Sequence, residues 1–397
     1  MKKKILRTAC SFLMITLHAM LFGAVQNSET LVSTQKTEHW ELLKGLLYAV
    51  GISLSFLHPY LTNRLGLRRI LTLGLLADAL GFLCFVIQLF WYSPYAFILP
   101  FLGAVFFGAG SLSVLNCLII YIIWDYPKNT IMGITALIAF ANIGFFLDVV
   151  LGSIVNLFEH QTELFLFLIA LLLFFAATVS IIYEDPPYPE KVKHLRSGTL
   201  LWKEMHQRLF LFLLAVIFYG ATEATFNFWG GTFLENRAFD FEIPISFFWI
   251  AMVLGQFFLL IPLSYGSPYK ILFGKVGIVV LALLILPYQS HHTPINFSFF
   301  LGGLGCSGIF PILLALLEVE LIHISLISRY NDYLPLIDTA ISIMTAGYLF
   351  GIAFIDFWTG PFFHPNTHLP FTIGAGFILI CSGLLAYLHR TRLIKMK

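Results

Sequence analysis

Long unbroken runs of apolar residues, separated by short polar breaks, set the pattern of this chain. A helix needs about 20 apolar residues to cross the hydrocarbon of a bilayer. Twelve such runs are legible, at 8–28, 44–62, 70–90, 97–123, 131–157, 164–183, 209–230, 244–265, 271–287, 296–317, 336–357 and 371–389. A membrane-spanning strand would alternate apolar and polar residues with period two. Leu164–Tyr183 carries almost no polar residue, so the spans read as helices and the fold as an all-α polytopic membrane protein. The longest polar stretch is 184–208. It opens with Glu184-Asp185-Pro186-Pro187-Tyr188-Pro189 and reads as a linker with a surface helix near 199–208.

Charge gives the orientation. Lys and Arg accumulate in the short loops on the cytoplasmic side. With the N-terminus inside, twenty cations fall inside and three outside, namely Lys36, Lys44 and Arg237. The inside set includes Arg7, Lys270 and Lys275. A missed or extra span would invert the later loops and spoil that asymmetry. Both termini are therefore expected in the cytoplasm, of the inner membrane if the source is bacterial. Lys2, Lys3 and Lys4 precede an apolar run as in a signal peptide, but no small-x-small cleavage site follows near Gly23–Gln26, so span 1 is expected to stay.

Composition narrows the function. Hydrophobic residues make up 59% and charged residues 11%, against about 25% charged in soluble domains. A soluble enzyme is excluded, and a net charge of +2 argues against nucleic acid as a partner. The five cysteines lie in apolar runs without a CxxC pair. No P-loop, Gly-x-Ser-x-Gly or HExxH is present, which argues against an ATP-driven pump or a membrane enzyme. His291, His292, His364 and His368 sit on exterior loops that fix no ligand geometry, so neither a metal nor a cofactor is expected.

Short matches recur at nearly half the chain length. Phe22-Gly23-Ala24 resembles Tyr219-Gly220-Ala221, Arg69-Ile70-Leu71 resembles Lys270-Ile271-Leu272, and Phe101-Leu102-Gly103 recurs as Phe300-Leu301-Gly302. The shared offset suggests two parallel six-helix bundles, 1–183 and 209–397, joined by 184–208.

Between spans 2 and 3 stands Pro59-Tyr60-Leu61-Thr62-Asn63-Arg64-Leu65-Gly66-Leu67-Arg68-Arg69. This resembles the signature loop of the major facilitator superfamily: Gly, three residues, Asp, a basic residue, any residue, Gly, then a basic cluster. Arg64, Gly66, Arg68 and Arg69 match. Pro59 replaces the usual Gly, Asn63 the usual Asp, and Leu67 a usual base. The resemblance implies twelve helices in two pseudo-symmetric six-helix bundles, a monomer, and transport by alternating access around a cavity lined by helices 1 and 7. Tyr219-Gly220-Ala221-Thr222-Glu223 on span 7 further resembles the sugar-permease branch that includes the fucose:proton symporters. The Gly-Pro-rich antiporter signature of span 5 is replaced by Asn142-Ile143-Gly144-Phe145-Phe146-Leu147-Asp148.

An ionised carboxylate in mid-bilayer costs several kcal/mol, so it should face a partner or a wet cavity. Asp78, Asp148 and Glu223 lie well inside spans, whereas Asp338 and Asp356 sit near span ends within reach of water. Desolvation favours the neutral acid and water favours the anion. A carboxyl wetted alternately from two sides can thus load and release a proton. Glu223 is the leading candidate. Tyr219, Glu223, Phe226, Asn227 and Gly230 form one stripe at helical spacing, with His18, Phe22 and Gln26 as its counterpart on span 1.

Asn116 and Gln256 are further candidates for the cavity or for interhelical glue. Asp148, in Gly144-x-x-x-Asp148-x-x-x-Gly152, reads equally as a cavity group or as part of a close helix contact, and Asp78 as a structural pair or a coupling group. The run Gly302, Gly303, Gly305, Gly308 and Pro311 marks span 10 as close-packed or bent. The expectation is a secondary transporter of a small polar organic solute, coupled to protons. The alternative is a proton-independent uniporter or exporter of the same fold.

Overall fold

The computed structural model describes Lys2 to Lys395 apart from residues 28–37, 91–97, 159–160, 187–193, 238, 240, 328–332 and 363–367. The described elements are helical. They are α1 (Lys2–Asn27), α2 (Glu38–Leu65), α3 (Leu67–Phe90), α4 (Ile98–Asp125), α5 (Thr130–Phe158) and α6 (Gln161–Ile182), followed by α7 (His194–Ala224). A π-helical turn (Thr225–Trp229) leads directly into α8 (Gly230–Glu235). Then come α9 (Glu242–Tyr265), α10 (Pro268–Ile285) with a 3-10 turn (Leu286–Tyr288), α11 (His292–Cys306), α12 (Ile309–Ile327), α13 (Tyr333–Phe362) and α14 (Leu369–Lys395).

Among the described residues, 11 helical stretches are long and apolar enough to cross a membrane, and the shorter Leu166–Val179 in α6 supplies the twelfth. Their outward side chains are large and apolar: Ile181 is 81% exposed, Phe258 66% and Phe174 62%. Water would not tolerate so much apolar surface, and lipid does.

The chain forms two compact units, 1–128 with 140–190, and 129–139 with 191–397. Lipid offers helices no hydrophobic drive to associate, so close packing must hold each unit together. In the first unit α3 and α4 meet along glycines seven residues apart on each helix. A Cβ on Gly81 would sit 2.6 Å from the Phe107 nitrogen, and one on Gly110 would sit 2.6 Å from the Gly74 carbonyl oxygen. In the second unit, side chains at Gly220 and Gly351 would overlap the Tyr348 and Ile217 carbonyls, which fixes the α7–α13 crossing. Gly303 likewise lies against the Phe248 carbonyl where α11 crosses α9.

Four expectations change. The 199–208 segment is no separate surface helix but the continuous start of α7. Span 10 is two helices, broken at Ser307 and at Gly308 with φ 81°. Lys275 and Arg7 are not loop charges. Lys275 lies two turns inside α10, and Arg7 is buried in α1. The Arg7 Nε donates to Asp125 Oδ2 at 2.8 Å and its Nη2 bonds the other carboxylate oxygen, while the guanidinium lies 4.6 Å over the Trp124 ring. Asp338, expected near water, is fully buried and accepts from Ser342 Oγ at 3.4 Å.

Candidate functional site

Glu223 sits in the last turn of α7, just before the π-helical turn. Its side chain is buried, and two tyrosines hold the carboxyl group. Tyr219, one turn earlier, lies with its hydroxyl 2.5 Å from Oε2, and Tyr348 of α13 donates to Oε1 at 2.7 Å. The two phenol rings stack with centroids 5.9 Å apart. No basic side chain pairs with Glu223 among the described residues. A carboxylate without a counter-charge is the costly form of such a group, and the neutral acid is the cheap one.

The Tyr219 hydroxyl has a second acceptor in reach, the Cys306 carbonyl oxygen at 3.1 Å. A phenol has one hydrogen. If Glu223 is ionised, Tyr219 donates to the carboxylate. If Glu223 is protonated, the acid can donate to Tyr219, and Tyr219 is then free to donate to Cys306. The carbonyl in question closes α11, at the break before Ser307 and Gly308. Lys275 serves the same break: its Nζ donates to the Leu304 carbonyl and to Ser307 Oγ, both at 2.7 Å.

The π turn rearranges the predicted stripe. Gly230 N–H bonds the Thr225 carbonyl, five residues back, so one extra residue is accommodated and the face rotates. Phe226 turns into the core, against Phe248, Phe299 and Gly302. Gly230 packs on Phe299. Asn227 is half-buried, and its Oδ1 is enclosed without a hydrogen-bond partner.

In the first unit His18 and Asp78 come together, with Nδ1 and Oδ2 at 2.8 Å. Phe22 and Phe107 lie 6.3 Å from the imidazole. The side chain of Gln26 lies outside the described residues. Asn116 is fully buried, with its Nδ2 3.5 Å from Ser55 Oγ, and Gln256 is buried in α9. Asp148 of α5 packs on Gly23 of α1, while Gly144 one turn earlier lies against the Thr16 carbonyl. The small-residue pattern around Asp148 therefore makes a close α1–α5 contact at Gly144. Among the described residues no three His, Cys, Asp or Glu side chains are grouped to hold a metal ion; His364 lies outside them.

The family model described as Major Facilitator Superfamily matches residues 5–321. The chain belongs to that superfamily. It is an integral, multi-pass membrane transporter of the family's small-solute kind, not an enzyme. A solved structure of FucP, a major facilitator transporter in the outward conformation, superposes with a TM-score of 0.70 at 16% identity, covering 96% of this chain and 98% of that one. A variant of the E. coli fucose:proton symporter FucP gives 0.66 at 16% identity, with 96% and 98% covered. Identity that low speaks for the fold alone. No curated protein sequence matches the chain.

The turn between α2 and α3 carries the residues that resemble the superfamily's signature loop, and an acid from elsewhere in the chain meets it. Asn63 stands where Asp is usual, and Asp185, from beyond α6, reaches the same turn. Its Oδ1 accepts the Arg68 backbone N–H at 2.8 Å, capping the start of α3. Gly66 takes φ 84°, a conformation that only glycine adopts readily. A side chain there would also meet the Asp185 carboxylate. Arg64 lies 4.9 Å over the Tyr60 ring, and Arg69 follows in the first turn of α3. Beside this turn Lys3 pairs with Glu184 at 2.9 Å and holds that exposed carboxyl below its usual range. Asp185, Tyr348 and Lys275 are the residues that sequence reasoning missed. In the sequence Asp185 reads as part of a linker, Tyr348 carries no mark within an apolar span, and Lys275 reads as a loop cation.

Proposed function

We propose that this transporter is a proton-coupled symporter of a small polar organic solute, that it works by alternating access, and that Glu223 carries the proton. The observation behind this reading is the Glu223 carboxyl group, buried and held by two tyrosine hydroxyls with no cation beside it. Such a group holds a proton while enclosed and releases it when wetted. Asn227, with an enclosed and unpartnered Oδ1 one turn further on, is the amide offered to the solute. The two halves, 1–183 and 209–397, are the moving bodies in this reading. The protein acts as a monomer, with both termini in the cytoplasm.

The fucose:proton symporter among the structural neighbours makes fucose the first solute to try. The test is uptake of labelled fucose, then of a panel of sugars, nucleosides and amino acids, into vesicles with and without an inward proton gradient. Glu223→Gln is expected to abolish gradient-driven accumulation while leaving solute exchange. Accumulation that survives in Glu223→Gln sinks the assignment. Transport indifferent to protonophores leaves the uniporter or exporter.

A further inference from the structure

The first unit holds a buried acid of its own, on different helices from Glu223. We propose that His18 and Asp78 form a second proton-binding site, in which the pair takes up one proton and returns it. Asp78 on α3 is 0% exposed and His18 on α1 is 6% exposed. Their 2.8 Å contact uses Nδ1 and Oδ2. The other oxygen, Asp78 Oδ1, is buried with no hydrogen-bond partner. It fits between α3 and α4 because position 110 is glycine: a Cβ there would lie 2.7 Å from the carboxyl carbon.

Proton counting gives the pair two states. With one proton, on Nδ1, the imidazole is neutral, the carboxylate is ionised, and the pair carries one negative charge. With two, the pair is neutral overall, either as imidazolium and carboxylate or as imidazole and acid. Buried against Phe22 and Phe107, with one oxygen unpartnered, the singly charged state is the unfavourable one. Local hydration reverses that preference. The site therefore binds a proton when closed and sheds it when wetted.

The surrounding charges do not supply an alternative neutraliser. Among the described residues His18 is the titratable side chain in hydrogen-bond contact with the Asp78 carboxyl. On α2, His58 contacts Cys117 of α4. On α1, Arg7 is taken by Asp125 and Lys3 by Glu184, and Asp148 packs at Gly23. A purely structural tie between α1 and α3 would need no change of protonation.

The experiment follows the His18 imidazole by NMR in the full-length protein with ring-labelled histidine, its signal identified by loss in His18→Gln. The range is about pH 5 to about pH 10. The signal is expected to titrate once. In Asp78→Asn the midpoint should fall by about one unit or more, a roughly tenfold loss of proton affinity. In Glu223→Gln it should stay where it was. An imidazole invariant over the whole range overturns the site, as does an unmoved midpoint in Asp78→Asn. A titration lost in Glu223→Gln overturns its independence. If Asp78→Asn does not fold, the infrared carboxyl bands of wild type and His18→Gln give the second readout: the pH-dependent band of Asp78 must shift when His18 is removed. Failure of Glu223 as the coupling group would appear in vesicle uptake and leave this titration untouched.

Discussion

Replacing Tyr219 by Phe tests the hydrogen-bond chain at the seventh helix directly. The substitution keeps the ring stack on Tyr348 and removes one oxygen, which lies 2.5 Å from Glu223 Oε2 and 3.1 Å from the Cys306 carbonyl. Each buried group left without a partner costs about 1–3 kcal/mol. With Glu223 ionised, Tyr219 and Tyr348 each make one charge-assisted hydrogen bond to the carboxylate, so the two Phe variants cost about the same. With Glu223 protonated Tyr219 makes two, accepting from the acid and donating to Cys306, so Tyr219→Phe costs about 2–6 kcal/mol against about 1–3 kcal/mol for Tyr348→Phe. Tyr348→Phe removes the hydrogen bond to Glu223 Oε1 in either state. For a unit of about 150–250 residues each kcal/mol moves Tm by about 2–4 °C. Cys306 and Cys381 are buried in this unit, so unfolding in detergent can be read with a thiol-reactive fluorogenic dye. Tyr219→Phe should melt below Tyr348→Phe, and the gap should widen as pH is lowered. Equal melting temperatures at every pH, or a gap that narrows in acid, would show that Tyr219 does not bridge the acid and the helix end.

Three further outcomes follow from the packing. Asp185→Ala should lower stability by about 0.5–2 kcal/mol through loss of the cap on α3, and Asp185→Asn should recover most of it, as read by the same dye assay. Gly308→Ala must adopt a left-handed backbone costing about 1–2 kcal/mol and also meet the Leu259 side chain, whereas Gly274→Ala in α10, with nothing within 4 Å, should be neutral or stabilising. Arg7→Leu strands the buried Asp125 carboxylate at about 3–5 kcal/mol. An Arg7→Leu, Asp125→Leu double variant should melt higher than Arg7→Leu alone, and a double variant as unstable as the single would show that the pair does not act as a unit.

Much of the architecture was legible in the sequence because lipid makes a simple demand. An uninterrupted apolar run of span length has few other uses, so helix count, superfamily and the buried position of Glu223 could be read without coordinates. The signature loop was legible through Arg64, Gly66, Arg68 and Arg69, while its acid was not. Asp185 lies more than a hundred residues from Arg68, and nothing local marks it as a cap. Lys275 was misread for a related reason. A lysine near a span end is usually a boundary charge, and only the break in the neighbouring helix gives it buried acceptors. The predicted stripe on span 7 assumed a regular helical repeat. The π turn added a residue after Thr225, which sent Phe226 into the core and left Asn227 with an enclosed oxygen. The His18–Asp78 contact joins residues 60 apart in sequence. Each residue was visible as a polar group in lipid, and their pairing was not.

The break in the tenth span shows why these unpredicted residues belong together. Inside lipid a helix end cannot leave its carbonyls bare. At Ser307 and Gly308 the end of α11 is served from two sides by donors of different capacity. Lys275 has three hydrogens and can hold the Leu304 carbonyl and Ser307 Oγ at once, whatever the state of its neighbours. Tyr219 has one, and the Cys306 carbonyl must share it with Glu223. One side of the break is therefore tied by a donor that does not depend on Glu223, and in the proposed coupling the other is tied according to whether a proton sits on Glu223. In the proposed coupling, a proton taken up by Glu223 is felt at the backbone of a second helix through a single hydroxyl, without moving a charge through lipid. Lys275→Met should destabilise the unit equally in wild type and in Glu223→Gln. Tyr219→Phe should cost more than Tyr348→Phe in Glu223→Gln, where the amide fixes the two-bond arrangement, and about the same as Tyr348→Phe in wild type at alkaline pH.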